Sequence, residues 1–156
     1  MKLLFKQRFF SWLDSYDIYD EQGNVVYTVE GKLAWGHKLE IYDFRHNHIA
    51  TLKEKVMTFM PKFEIYIGGQ YMGEIIKDFT FFKPSFSINC NGWSVRGDFW
   101  EWDYQILSGS FVVATIQKQF FNWTDTYVID VADQNDSLLA LMVVLSIDAV
   151  KCSKND

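Results

Sequence analysis

The chain has 156 residues, a length that suits a single domain over residues 1–156 with a substantial core. Hydrophobic residues make up 49% of it and aromatic residues 18%, with only 2 prolines, so the composition excludes a disordered chain and favours β-strands. The net charge of -5 argues against general attraction to nucleic acid or to an anionic membrane, because both reward a basic surface. Binding to an anionic partner would therefore need a local basic patch.

The N-terminal segment and the cysteines predict the compartment. The first apolar stretch, Leu3 to Phe5, ends after three residues and is too short for a secretory signal. Cys90 and Cys152 lie far apart with no metal-ligand spacing around either, which indicates reduced thiols. We therefore expect a cytoplasmic monomer without a transmembrane segment or a cofactor, either free or peripheral to a membrane.

An internal repeat is the strongest signal in the sequence. An aromatic residue or leucine is followed two positions later by isoleucine and preceded four positions earlier by Trp or Phe. The six triplets are Trp12/Tyr16/Ile18, Trp35/Leu39/Ile41, Phe59/Phe63/Ile65, Phe82/Phe86/Ile88, Trp100/Tyr104/Ile106 and Trp123/Tyr127/Ile129. The three offsets share parity, so on a strand all three side chains point to one face, which we interpret as the core face.

Turn signals follow the isoleucines and divide each unit into two strands. Asp20-Glu21-Gln22-Gly23-Asn24 and Gly68-Gly69-Gln70 are typical of hairpin turns, because Gly and Asn adopt positive φ angles. Six units predict about twelve strands between residues 3 and 131, and a sheet of that size closes into a barrel to remove its edges. The residues two positions before each anchor predict a bend or bulge there: Asp14, His37, Pro61, Pro84, Trp102 and Asp125.

The two-residue period stops after Val131. Asp133 to Ser137 offers N-cap residues, and the apolar run that follows predicts a helix over about 135–150. Its apolar residues cover every side, which indicates a helix buried all round. Twelve strands enclose more space than their side chains fill, so the helix is expected inside the barrel. The alternatives are a helix across one barrel mouth, a helix in a dimer interface, or a β-trefoil, although trefoils end without such a helix.

In four stretches the chain resembles the LURP-one-related family. They are Tyr16 to Tyr27, Phe79 to Phe86, Gly97-Asp98-Phe99 and the C-terminal helix. The resemblance implies a tubby-like fold, mainly β, with a closed twelve-stranded barrel around a buried hydrophobic C-terminal helix. Tubby phosphoinositide-binding domains and phospholipid scramblases share that superfamily, so the resemblance also implies a role at a lipid surface. No lipid-binding motif of those relatives matches particular residues here, and the cysteine-rich and calcium-binding segments expected of a scramblase are absent from the sequence.

Five lysines are the candidate ligand-binding residues. Related positions in consecutive repeats hold Lys53, Lys55, Lys62, Lys77 and Lys83, which could converge into a patch for phosphate headgroups. The alternative is that they discourage edge pairing and aid solubility. The leading hypothesis is a non-enzymatic binding or scaffold module, at an anionic lipid surface or with a protein partner, and without nucleic acid. The second hypothesis is a carrier of small apolar ligands.

Catalytic and metal sites have weaker signals. His46 and His48, with His37 elsewhere, could bind a metal, but no carboxylate or cysteine cluster accompanies them, and we expect no metal site. Glu101 and Asp103 alternate with aromatic residues and could serve a hydrolase. The same alternation of polar and aromatic residues is typical of a half-buried strand. We therefore predict that the protein is not an enzyme.

Overall fold

Twelve antiparallel strands form a closed barrel, and one helix follows them. The computed structural model describes residues 1–6, 15–34, 36–78, 85–121 and 124–153. The strands are β1 (Lys2–Lys6), β2 (Ser15–Tyr19), β3 (Val25–Ala34), β4 (Gly36–Asp43), β5 (His48–Glu54), β6 (Lys62–Ile67), β7 (Gln70–Asp78), β8 (Ser85–Ile88), β9 (Ser94–Asp98), β10 (Asp103–Ser108), β11 (Phe111–Phe121) and β12 (Thr124–Val131). The helix α1 spans Ser137–Ser153 after a short 3-10 turn at Gln134–Asp136. The predicted fold class is confirmed.

The repeat places one anchor pair on every even-numbered strand. The six isoleucines of the anchor pairs are at most 1% exposed, and the residue two before each is buried or, at Tyr16, half-buried. The first residue of each triplet was also predicted to face the core, and this was wrong for two of them. Phe59 is 89% exposed and Trp100 is 47% exposed. Both lie in loops, ahead of β6 and β10, where strand parity does not apply. The other four members, Trp12, Trp35, Phe82 and Trp123, lie outside the described residues.

Bulges occur at a different place from the predicted one. In four of the hairpins the register shifts directly after the anchor isoleucine, and the return strand carries one extra residue: Val26, Ile49, Met72 or Val113. The residues two before the anchors instead mark strand starts, since His37 is the second residue of β4 while Pro61 and Trp102 directly precede β6 and β10. Asp125 pairs in regular register with Phe120, and Asp14 and Pro84 lie outside the described residues.

The sixth unit is assembled from both ends of the chain. Five anchor strands continue into a hairpin partner, but β12 continues into α1. Its second neighbour is β1, which pairs with it from Lys2 opposite Asp130 to Lys6 opposite Thr126. The expectation of six consecutive hairpins is corrected accordingly, because the closing strand pair joins the first strand to the last.

The helix occupies the inside of the barrel. Five consecutive residues, Ala140 to Val144, are 0% exposed, and at ~100° per residue they cover every side of the helix. They belong to one hydrophobic cluster with inward side chains of strands all round the ring, among them Leu3, Ile41 and Ile106. The predicted central helix is therefore confirmed, and neither the trefoil nor a helix across the mouth describes this chain.

We expect truncations on opposite faces of α1 to be equally harmful. Leu145 and Ile147 lie ~200° apart on the helix and are 2% and 1% exposed. Each of Leu145→Ala and Ile147→Ala should lower the free energy of unfolding by about 2–5 kcal/mol, because each leaves a cavity in the core. Urea unfolding followed by circular dichroism measures this. A near-neutral result for either variant would place that face of the helix at a surface.

Candidate functional site

The strand order gives the barrel two different ends. In a closed antiparallel barrel of sequential strands, successive connections alternate between the ends. The hairpin turns after the even strands form one end, called here the hairpin end. The segments 55–61 and 99–102 lie at the other, the loop end. The last turn of α1 reaches the loop end, where the ammonium of Lys151 donates a hydrogen bond to the carbonyl of Trp100 over 3.3 Å.

Among the described residues, the mouth of the barrel at this end holds a small recess. It is shallow and half-open and lies between the last turns of α1 and the wall, lined by Lys77, Phe86, Phe99, Trp100, Val150 and Lys151 among others. It has room for about one water molecule. The carrier hypothesis required an empty lumen, and α1 fills it, so the hypothesis lacks its site.

One acidic side chain lies just inside the loop end. Burial raises the pKa of Asp148 from 3.8 to about 6, and Lys151 opposes the rise only in part. The hydroxyl of Tyr104 is fully buried, and burial followed by the charge of Asp148 raises the pKa of Tyr104 well above 10.0. Lys151 itself lies 4.3 Å from the ring centre of Trp102. The sequence contains no signal for this cluster, because its members meet only when the helix enters the barrel.

Three of the predicted lysines share the outer wall at the loop end. Lys53 lies on β5 between Lys38 and Glu64 of the neighbouring strands. Lys55 is the first residue of the 55–61 loop, and Lys62 directly follows the loop. Lys55 forms an ion pair with Glu74 over 3.4 Å. Acidic side chains therefore alternate with the lysines.

Lys77, the fourth described lysine of the predicted set, does not join this wall. Lys77 lies opposite the buried Phe86 and lines the recess, so it faces the mouth of the barrel. Lys83 lies outside the described residues. The structure thus brings together only part of the predicted set.

The 55–61 loop presents apolar side chains to solvent. Met57 is 101% exposed, Phe59 is 89% exposed and Val56 is 45% exposed. Sequence reasoning missed this surface because it assigned Phe59 to the core by strand parity. The useful signal was Pro61, which favours a strand start after it and leaves Phe59 in a loop.

A polar network on the outer wall joins β4 and β5. Glu40 is 8% exposed and accepts a hydrogen bond from Thr51 over 2.6 Å, with further contacts from Lys38 and His48. Burial alone would raise the pKa of Glu40, but these three partners outweigh it and hold the pKa below its usual value. A single carboxylate does reach one of the histidines, because Glu40 contacts His48 from the neighbouring strand.

This network does not have the geometry of a catalytic relay. His48 contacts both Glu40 and Thr51 through the same ring nitrogen, Nε2, whereas a relay uses both nitrogens of the ring. The described part of the chain contains no group of three or more His, Cys, Asp or Glu side chains arranged to hold a metal ion.

The two carboxylates of the hydrolase hypothesis lie outside the recess at the loop end. Glu101 and Asp103 are both exposed, and the buried Trp102 separates them. Neither side chain lines that recess, and the residue opposite Asp103 on the neighbouring strand is Asp98. The hypothesis required a shared cleft, which these positions do not supply.

These features define a class of protein, a twelve-stranded barrel filled by its own C-terminal helix. The profile of the LURP-one-related family matches residues 1–148, so the chain belongs to that family. It is similar to the uncharacterized protein YxjI of Bacillus subtilis (strain 168), with 31% identity over 100% of this chain and 97% of that protein. The X-ray structure of an Arabidopsis thaliana protein shares the fold, with a TM-score of 0.63 and 14% identity over 94% of this chain and 90% of that one. No helix among the described residues has the length and apolarity to cross a membrane.

Replacing the partly buried carboxyl of Asp148 should stabilise the protein in a pH-dependent way. Below pH 3.8 the carboxyl of Asp148 is protonated in both states, and as the pH rises to about 6 the unfolded chain loses the proton first. Ionisation therefore costs the folded state about 3 kcal/mol at neutral pH, at ~1.4 kcal/mol per pKa unit. Asp148→Asn should raise the free energy of unfolding by up to about that amount at pH 7 and by little at pH 3.5. Urea titrations at both values test this, and an equal gain at the two would contradict it.

Proposed function

We propose that the protein is a non-enzymatic binding module that works at an anionic lipid surface through the outside of its barrel, as a peripheral protein of the cytoplasm. The filled interior supports the outer surface as the place of function, because Ala140 to Val144 occupy the space that a ligand would need. The exposed, separated positions of Glu101 and Asp103 favour binding over hydrolysis.

The observation that carries the proposal is the shared position of Lys53, Lys55 and Lys62. All three lie on one outer wall at the loop end, in a chain whose net charge is -5. A cationic group near an anionic leaflet gains about 1 kcal/mol per Lys or Arg, and the gain falls off within a Debye length. Because Glu64 and Glu74 lie among these lysines, the attraction should be modest and sensitive to salt.

The fold relationship supports the same class of ligand. Membership of the LURP-one-related family implies a tubby-like fold, and tubby phosphoinositide-binding domains and phospholipid scramblases belong to the same fold superfamily. The support is general, since no lipid-contacting motif carries over to numbered residues, and the lysines of this chain must supply the contact.

Vesicle co-sedimentation tests the proposal. The protein should pellet with vesicles containing phosphatidylserine at low salt, and pure phosphatidylcholine vesicles should leave it in solution. The double variant Lys55→Gln/Lys62→Gln should bind roughly thirtyfold more weakly, from ~1 kcal/mol per lysine. The matched control is Lys2→Gln/Arg45→Gln, which removes the same charge from the hairpin end.

Two results would overturn the proposal. Wild-type protein that stays in solution with anionic vesicles at low salt would remove the lipid ligand, because attraction is strongest there. Equal weakening by the hairpin-end control would show an effect of overall charge rather than of this wall. A charge effect confined to Lys55 and Lys62 supports it.

A further inference from the structure

The 55–61 loop combines features that a solvated loop does not need. Its sequence reads Lys55-Val56-Met57-Thr58-Phe59-Met60-Pro61, with Lys62 directly after it. Two large apolar side chains, Met57 and Phe59, are almost fully exposed within three residues of each other. Apolar surface in water carries a cost that burial against a partner would recover.

The loop is held in shape from its base. The amide of Lys55 donates to the carbonyl of Lys62 over 2.9 Å, and the amide of Lys77 donates to the carbonyl of Pro61 over 3.0 Å. Gly36 packs so closely beneath it that an added Cβ would lie 2.8 Å from the side chain of Val56. Met57 adopts a φ of 60°, a left-handed conformation that is costly for a residue with a side chain. A loop shaped before docking loses little entropy when it docks.

We infer that Met57 and Phe59 insert below the headgroups of an anionic bilayer while Lys55 and Lys62 contact the headgroups above them. This inference rests on the proposed function and adds the part of the molecule that enters the membrane. Apolar side chains between two lysines match the layering of a bilayer surface, in which hydrocarbon lies beneath anionic groups.

The polar groups of the loop also suit an apolar environment. A backbone or hydroxyl group that enters a bilayer without a hydrogen bond carries a high cost. The hydroxyl of Thr58 already donates to the carbonyl of Met60 over 2.8 Å, and the loop base is closed between Lys55 and Lys62. Thr58 therefore enters the interfacial region with its hydroxyl donor satisfied inside the loop.

Insertion and headgroup attraction respond differently to salt. Salt screens the lysines, but it leaves the gain from burying Met57 and Phe59 in place. Burial of one such side chain is worth on the order of ten- to a hundredfold in affinity. Membrane binding should accordingly have a salt-sensitive part from the lysines and a salt-resistant part from the loop.

The first experiment compares Met57→Ser/Phe59→Ser with Phe44→Ser/Phe111→Ser in the vesicle assay. Phe44 and Phe111 are 68% and 60% exposed and lie at the hairpin end, so the control removes exposed apolar surface from the opposite side. The loop variant should bind at least tenfold more weakly at low salt and lose the binding that remains at high salt. The control should match the wild type, and circular dichroism should show all three proteins folded.

The outcomes separate the two proposals. If the wild type fails to bind anionic vesicles, the proposed function has failed and the insertion fails with it. If the wild type binds and the loop variant binds equally well at both salt concentrations, the proposed binding to a lipid surface is retained and the insertion is overturned. The loop would then be a site for a protein partner.

A second measurement reads the depth directly. A fluorophore is attached at Phe59→Cys in a background of Cys90→Ser/Cys152→Ser, and the comparison position is Ser110→Cys at the hairpin end. Lipids brominated along the acyl chains should quench the label at position 59 and leave the label at position 110 unchanged. An unquenched label at position 59 on protein bound to the vesicles would overturn insertion.

Discussion

Twelve strands enclose a space too wide for their own side chains, and α1 fills it. Each even strand has a pair of inward residues, such as Leu39 and Ile41. The helix carries apolar residues on every side, and these pack against the inward pairs. A protein with an eight-stranded wall could leave such a helix out, but this one loses its core without it. Because the interior is occupied, the outer wall and the loops are the surfaces left for binding a partner.

The turns at the hairpin end resemble one another more closely than the connections at the loop end do. Asp20 accepts hydrogen bonds from the backbone of Gln22 and Asn24, and Asp43 accepts the same pair of bonds from Arg45 and Asn47. The bulges likewise recur at one place in four hairpins. The described connections at the loop end share no such pattern, since segment 55–61 and segment 99–102 differ in length and in conformation. The hairpin end thus repeats one turn structure, whereas the described connections at the loop end differ from one another.

Most of the fold could be predicted from the sequence, because a two-residue period and a buried helix leave signals within single segments. Ile18 and Ile41 show this, since strand parity alone assigns them to the core. The same rule failed at Phe59, because it holds only within a strand, and β6 begins after Pro61, a residue type that favours a strand start. The contact of Glu40 with His48 depends on the register of two strands and on a bulge between them, which no local pattern encodes. The candidate surface was predicted in part, as lysines without the apolar loop they flank.

The split sixth unit sets the order in which the molecule can be completed. Among the described residues β1 has one register pair with β2, at Leu4 and Tyr19, and its five pairs with β12 join residues more than a hundred positions apart. β12 follows β1 by more than a hundred residues, so the strand pair that closes the barrel forms only after all the other strands have been synthesised. The helix emerges later still. Pairings between residues this far apart in the sequence slow the folding of a barrel, and the inward apolar faces of the strands stay unpacked until α1 has been made.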